Sequence, residues 1–369
     1  MNCSSPLGHE FELTLFGNGY GECVLLHMCN NKWIIVDSCV NPSTDKIAPI
    51  EYLESIGVDI TKQVELLIVS HWHSDHIKGA SKICQLCENA KLALSHAMQA
   101  REFFRFINVI NQRRTFNYTG ESTDEISQVL ETMIKRKQSS GEYSYIWASA
   151  DKPLYFNKID GNGSDVKVVA LSPSDHSITT ASVEIAKLIP KANTGIKVQS
   201  NINPNFFAVA LWISIGNIQI LLGSDLEERG HPRGAWSIIA NNKNRPNGLA
   251  DVFKVPHHGS QNAYCNNVYD KMLTDEHISV LTPFTHGKVV LPQDTDITRL
   301  KEQKCSGIYM TCKVSSKNVK HDAVVEKILR ESTKSRKTLN SFGWVTLRKN
   351  VLDVSDDWKI ITNGHAHKL

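Results

Sequence analysis

Val64-Glu65-Leu66-Leu67-Ile68-Val69-Ser70-His71-Trp72-His73-Ser74-Asp75-His76 is an apolar run that ends in three imidazoles and a carboxylate. The run reads as a buried strand, and the residues after it as a turn into a short helix. Imidazole and carboxylate suit zinc, and also iron or manganese. A strand end followed by a helical turn can fan such side chains around two ions instead of one. The competing reading is a surface turn that happens to be rich in histidine. It requires four ligand-type residues to coincide by chance with the end of a buried strand.

Partners for these residues occur further along the chain. Asp37 ends Trp33-Ile34-Ile35-Val36-Asp37, Asp225 ends the run from Ile218, and His257-His258 follow Val252-Phe253-Lys254-Val255-Pro256. Every candidate stands just beyond an apolar, strand-like segment. A sandwich with its active site along one edge requires this recurrence, since strands supply rigid placement and loops supply ligands.

At these residues the chain resembles the metallo-β-lactamase-fold hydrolases, and within them the metallo-β-lactamase-like domain of ComEC-type DNA-uptake proteins. The resemblance runs from about Phe11 to Cys312. It is carried by Gly19-Tyr20-Gly21-Glu22-Cys23, Ile35-Val36-Asp37-Ser38-Cys39, Ser70 to Gly79, Leu222-Gly223-Ser224-Asp225-Leu226-Glu227 and Lys254-Val255-Pro256-His257-His258-Gly259-Ser260. The His-His-Gly-Ser turn is the feature of the ComEC-like branch. The fold this implies is α+β, a four-layer αββα sandwich, here with a helical insertion and a small C-terminal extension.

The resemblance implies that His71 and His73 bind one metal, that Asp75 and His76 bind a second, and that Asp225 bridges them. His257 is the expected last ligand of the second ion because it is closer to the strand end, with His258 as competitor. Asp37 is expected behind the ligands, orienting an imidazole through its free ring nitrogen. Dinuclear members carry a further histidine in a turn after a strand. His176, after Val166 to Ser172, stands in a comparable place; the other reading of Ser172-Pro173-Ser174-Asp175 is a strand-ending turn. His96 is a weaker rival.

Two zinc ions are the expected cofactor, with manganese or iron as substitutes. They would hold a bridging water whose pKa falls toward neutrality, which makes hydrolysis the natural reaction. Asp75 is the candidate for orienting the hydroxide. His258 or His286 would donate to the leaving group and Ser260 would bond a substrate oxygen; for each of these the other reading is an ordinary polar loop residue. Asp225 and His76 argue against class B1 and B2 β-lactamases, which place cysteine and other residues there. His73 argues against flavin-linked di-iron oxidases, and the richness of the set against persulfide dioxygenases. The expected activity is that of a phosphodiesterase or nuclease. The alternatives are hydrolysis of a small thioester, lactone or other carboxylic ester, and a metal-bearing scaffold or regulatory subunit.

Charge alone does not mark a nucleic-acid binder, since 41 basic and 38 acidic residues leave a net charge of +3. Arg101, Arg105, Arg113 and Arg114 interleave with Phe103, Phe104, Phe106 and Phe116 in a helix-like stretch, a mix able to contact phosphates and stack bases. The other reading makes Phe103, Phe106 and Ile110 one core face and leaves the arginines solvated. The resemblance to the ComEC-like branch, more than charge, makes a nucleic acid or nucleotide diester the expected partner, and the C-terminal extension is a candidate surface for an oligomer or partner protein.

Hydrophobic content of 41% with 21% charged residues is that of a globular protein. One elaborated domain is expected over residues 1–314, with a helical insert at about 97–150, followed by an extension over 315–369. The apolar stretch Phe206 to Leu222 is broken by Gly216-Asn217, a hairpin signal, so it is not a membrane span. Met1 to Glu10 lacks a basic start and an apolar core, and nine scattered cysteines fit a reduced setting, so a cytoplasmic location is expected. Cys84 and Cys87 read as buried helix residues instead of a zinc half-site.

Overall fold

Apolar residues alternate between two faces along almost every strand, and both faces are covered. The computed structural model describes residues 4–18, 20–99, 102–105, 107, 121–140, 145–159, 165–188, 203–228, 235–314, 324, 342–353 and 355–369. One sheet contains, in spatial order, β1 (Glu10–Gly17), β2 (Glu22–Met28), β3 (Trp33–Val36), β4 (Val64–Val69), β5 (Lys91–Ser95) and β6 (Tyr145–Ala148). The other contains β7 (Lys152–Lys158), β8 (Asp165–Ala170), β9 (Leu211–Ile215), β10 (Ile218–Leu222), β11 (Ala250–Lys254), β12 (Leu273–Leu281) and β13 (Gly307–Met310). Three C-terminal strands extend both sheets. β14 (Gly343–Asn350) pairs antiparallel along all of β1, β15 (Lys359–Gly364) lies outside it, and β16 (His367–Lys368) pairs with β13.

Each sheet is antiparallel on one side and parallel on the other. β3 to β6 run parallel in the first sheet, and β10 to β13 in the second. Parallel strands are buried on both faces, which is why Leu66-Leu67-Ile68-Val69 and Val252-Phe253 read as continuous apolar runs. Leu66 and Ile68 pack between the sheets against Val168, Ile213, Ile220 and Val252, while Leu67 and Val69 face the other way, toward helices. The period of two in a strand divides the run between two cores.

Helices α1 (Ala48–Ser55), α2 (Ala80–Leu86) and α3 (Glu121–Ser140) form the outer layer on the first sheet, with Ala181 and Ile185 of α4 (Asp175–Leu188) joining the same core. α5 (Ala235–Asn241), α6 (Asn266–Met272) and α7 (Asp294–Lys301) cover the second sheet around Trp212, Trp236 and Phe253. The architecture is therefore the four-layer αββα sandwich expected from the sequence. In α3 the buried residues Ile126, Val129, Leu130 and Met133 fall at helical spacing and form one stripe. α3 also clamps α2 at both ends. Glu125 accepts hydrogen bonds from the N–H groups of Gly79 and Ser81 at 3.1 and 3.0 Å, and Arg136 donates to the carbonyls of Cys84, Cys87 and Ala90. An acid at the start of a helix and a cation at its end both complement the peptide dipole.

Some elements differ from the sequence reading. The strand expected over 206–215 begins only at Leu211, because Pro204 and its neighbours form a 3-10 turn. Residues 177–188, where the sequence pattern predicts no regular element, belong to α4. β6, β13 and β16 are too short to produce a periodic signal. Phe103 is fully buried against Trp72, and Arg105 is exposed; Arg101, Phe106, Ile110, Arg113, Arg114 and Phe116 lie outside the described residues, as does all but Val324 of 321–331, where the sequence pattern predicts a helix. Cys84 and Cys87 are buried thiols. Among the described residues no helix is long and apolar enough to cross a membrane.

Candidate metal centre

β3 runs parallel to β4 in one sheet and β10 parallel to β11 in the other, and the C-terminal ends of both pairs meet at one edge of the sandwich, where open α/β sheets bind ligands. Asp37 follows β3, Ser70 and His71 follow β4, Asp225 follows β10 and His258 follows β11. The two edges are tied directly: Ser70 accepts from the Val209 N–H through its carbonyl at 3.2 Å, and the Ser224 hydroxyl donates to the Ser70 hydroxyl at 2.8 Å.

The loop after β4 turns into a single helical turn, Ser74–Ile77, which brings Asp75 and His76 back toward His71. The His71 and His76 rings lie 4.4 Å apart, and the His71 and His73 rings 5.2 Å apart. Asp37 organises this loop. Its carboxylate accepts from the Ser70 N–H at 2.7 Å and the Ser70 hydroxyl at 2.6 Å, and Oδ2 lies 2.8 Å from His76 Nδ1. With the proton on Nδ1 pointing at Asp37, the lone pair of His76 Nε2 is directed at the carboxylates across the site. Asp37 itself has φ 63°, a left-handed conformation that aspartate tolerates better than most residues.

Asp225 arrives from the opposite sheet through Gly223 and Ser224. A side chain at position 223 would stand 2.8 Å from Pro256 Cβ and 2.9 Å from the Lys254 carbonyl, so glycine is what lets the two turns approach. His257 and His258 both have positive φ, 46° and 55°, and Gly259 follows at 78°. This left-handed turn swings His258 inward. Its Nε2 lies 3.3 Å from both Asp75 Oδ2 and Asp225 Oδ2, and its Nδ1 is 2.9 Å from the Thr282 carbonyl. His76 Nε2 lies 3.2 Å from Asp225 Oδ1.

Asp75, His76, Asp225 and His258 thus each offer a ligand atom within 4.8 Å of the others, and Asp37, His71 and His76 form a second such group. All six residues are buried. His257, favoured from sequence because it is closer to the strand end, is outside both groups; its Nδ1 is 2.7 Å from Asn262 Oδ1. The reversed order has a physical cause, since the strand ends before Pro256 and the left-handed residues decide which ring faces inward. His176 is exposed in the first turn of α4 and also lies outside both groups. His73 is half-exposed beside His71, and His286 and Ser260 lie toward the surface.

The donor set fits a cation. His71 Nε2, His76 Nε2 and Asp225 Oδ1 are buried with no hydrogen-bond partner among the described residues, an arrangement that is costly unless a ligand completes it. The electrostatics agree. Burial works against charge on His258, yet the Asp225 and Asp75 carboxylates push its pKa up to about 10. Burial likewise opposes charge on His76, and Asp225 and Asp75 override it to hold His76 well above the usual range. Asp225 moves the other way: burial raises its pKa, and His258 and His76 more than reverse this. A pocket that retains protons on buried imidazoles demands positive charge, and a divalent cation supplies it. Burial, reinforced by His76 and His73, keeps His71 neutral and able to coordinate.

Sequence reasoning did not assign roles to Glu22 and Lys254, which are 2% and 1% exposed. They form an ion pair behind the cluster, and Lys254 Nζ also donates to the Ser224 carbonyl at 2.9 Å and lies 3.8 Å from Asp225 Oδ1. The signal was present, since both charges stand within or beside strands that are otherwise apolar.

The family model of the metallo-beta-lactamase superfamily matches residues 17–114, the segment holding Asp37, His71, His73, Asp75 and His76. Over those residues the chain is similar to that superfamily. No curated protein matches it in sequence. Among solved structures, the chain is similar to the CmlA beta-hydroxylase E377D mutant, at 13% identity and a TM-score of 0.36. It is also similar to AidC, a dizinc quorum-quenching lactonase in complex with a product, at 16% identity and a TM-score of 0.28 over 58% of this chain and 62% of that one. Zn(2+)-bound PqqB from Methylobacterium extorquens is a third, at 8% identity and a TM-score of 0.31, covering 77% of this chain and 74% of that chain. The CmlA match covers 94% of this chain but 55% of the CmlA chain.

Proposed function

We propose that this protein is a dinuclear metal-dependent hydrolase of the metallo-beta-lactamase superfamily that cleaves phosphodiesters. The observation that carries the reading is the buried quartet Asp75, His76, Asp225 and His258, with the unpaired ligand atoms of His71, His76 and Asp225 directed into it. His71 and His73 would hold one ion, Asp75, His76 and His258 the other, and Asp225 would serve both. This set takes His258 in place of His257 and omits His176, following their positions. Zinc fits the imidazole and carboxylate donors, as manganese and iron do. Divalent cations held there would make water acidic enough to attack near neutral pH and would draw charge from the electrophile.

The remaining work falls to side chains. Asp75 and Asp225 accept hydrogen bonds from attacking water and orient it. Asp37 and the Thr282 carbonyl each hold the Nδ1 proton of an imidazole, His76 and His258 respectively, so that both Nε2 atoms face inward. His258 is thereby engaged at both nitrogens, which favours a ligand role over proton donation to the leaving group. Support for a phosphodiester over a carboxylic ester comes from the ComEC-like His257-His258-Gly259-Ser260 turn.

The test is metal content by plasma mass spectrometry on the wild type and Asp225→Ala, beside cleavage of single- and double-stranded DNA, RNA and bis-p-nitrophenyl phosphate with zinc or manganese. About two ions per chain are expected, lost in Asp225→Ala with a fall of about 100-fold or more in diester cleavage. Metal without diester cleavage would turn the assignment to lactones and thioesters, or to a scaffold. Absence of metal would overturn it.

A further inference from the structure

Beside the buried quartet, a line of aromatic rings leads out to solvent. Phe284 stacks on His258 with centroids 5.0 Å apart and planes at 26°. Tyr20 lies 5.6 Å from Phe284 and 5.0 Å from His286, in the latter case at 30°. Tyr20 and Phe284 are half-buried and His286 is exposed. Tyr20 is held by a 2.5 Å hydrogen bond between its hydroxyl and that of Ser74, the neighbour of Asp75. Phe284 and His286 belong to the small hairpin Phe284–His286 and Val289–Leu291, closed by Gly287 and Lys288, with Gly287 at φ 62°. A two-residue turn of this kind fixes the hairpin's register and so the place of its rings.

Rings that stay partly in water contribute less to folding than buried ones, so the core does not account for this row. Its graded exposure, flat faces and polar edges suit a planar, hydrogen-bonding ligand more than a flexible acyl chain, which is better enclosed by aliphatic side chains. The cation Lys288 stands at the exposed tip of the hairpin.

We propose that Tyr20, Phe284 and His286 form a stacking wall for the nucleobase next to the scissile phosphate, which makes a nucleotide diester the substrate class; this rests on the phosphodiester reading above. The wall is a specificity device. It binds the base flanking the reaction centre and leaves the chemistry to the quartet.

The experiment compares two chromogenic esters on the metal-loaded full chain: the p-nitrophenyl ester of thymidine 5'-phosphate and the p-nitrophenyl ester of 1,2-dideoxyribose 5-phosphate, which share leaving group, diester and sugar and differ in the base. Base stacking predicts that the wild type prefers the nucleotide ester by about 10-fold or more in kcat/KM. In Phe284→Ala and in His286→Ala this ratio should fall toward unity, chiefly through a raised KM for the nucleotide ester, and Phe284→Trp should restore it. Because the readout is a ratio, a general loss of activity from disturbing His258 cancels, and the exposed His286 provides a variant that leaves the core intact. Cleavage of both esters with no wild-type preference, or a preference unmoved by either variant, overturns the wall while leaving the phosphodiesterase standing. Cleavage of neither ester by the metal-loaded wild type removes both.

Discussion

His257 and His258 are adjacent, chemically identical and differently employed. The backbone decides between them: successive left-handed residues send one ring between Asp75 and Asp225 and the other toward Asn262. We expect His258→Ala to weaken metal affinity by about 100-fold or more and His257→Ala by less than about tenfold, measured by competition with a chromophoric chelator. The reverse order would show that His257 is the ligand. Lys254 presents a second residue-scale question, because a buried ammonium is costly to desolvate unless its partners are fixed. Here Glu22 and the Ser224 carbonyl fix it. Lys254→Met strands the Glu22 carboxylate and should lower stability in urea by about 3–5 kcal/mol, whereas Lys254→Met with Glu22→Gln should recover much of the loss. A double variant as unstable as the single one would show that Lys254 acts through packing and not through the pair.

At the scale of elements, the loop carrying His71 to His76 is only as rigid as the helix that follows it. α2 is a short helix after Gly79, and its hydrogen-bonding ends are completed by α3 through Glu125 and Arg136. Each of these caps is worth about 1 kcal/mol. Glu125→Ala and Arg136→Ala should each reduce thermal stability by that order. Both should also raise amide exchange across residues 79–87 before the sheets are affected. Uniform exchange across the whole chain would argue against α2 as a locally weak element.

Across the whole molecule, β14 completes the first sheet from the far end of the chain, and its Arg348 joins Glu12 at 2.6 Å while Tyr52 and Thr14 donate to the same carboxylate. The N- and C-terminal strands are thereby one structural unit beside the site. Next to them, His27 is buried with Nδ1 2.8 Å from the Glu10 carbonyl and Nε2 without a hydrogen-bond partner among the described residues. Burial lowers its pKa from 6.5 to about 4. Protonation therefore favours the unfolded chain: the contribution is fully present above pH 6.5 and is lost as the pH falls toward 4, about 3 kcal/mol by that point. Urea midpoints at pH 7, 5 and 4 should fall less steeply in His27→Phe than in the wild type; parallel slopes would exclude His27 as a source of acid sensitivity.

The sequence alone set the candidate ligands at the ends of apolar runs, because two-sided burial writes such runs, and its resemblance to the metallo-β-lactamase fold implied the sandwich. Asp37, His71, Asp75, His76 and Asp225 were legible for that reason. Tertiary structure decided what local pattern does not encode. It selected His258 over His257 through backbone conformation, left His176 exposed on α4, and paired Glu22 with Lys254 across two sheets. It also placed β14 beside β1 over a separation of more than 300 residues. Periodicity records which residues are buried; which buried residues meet is set by strand pairing between distant segments, and the site is built from such meetings.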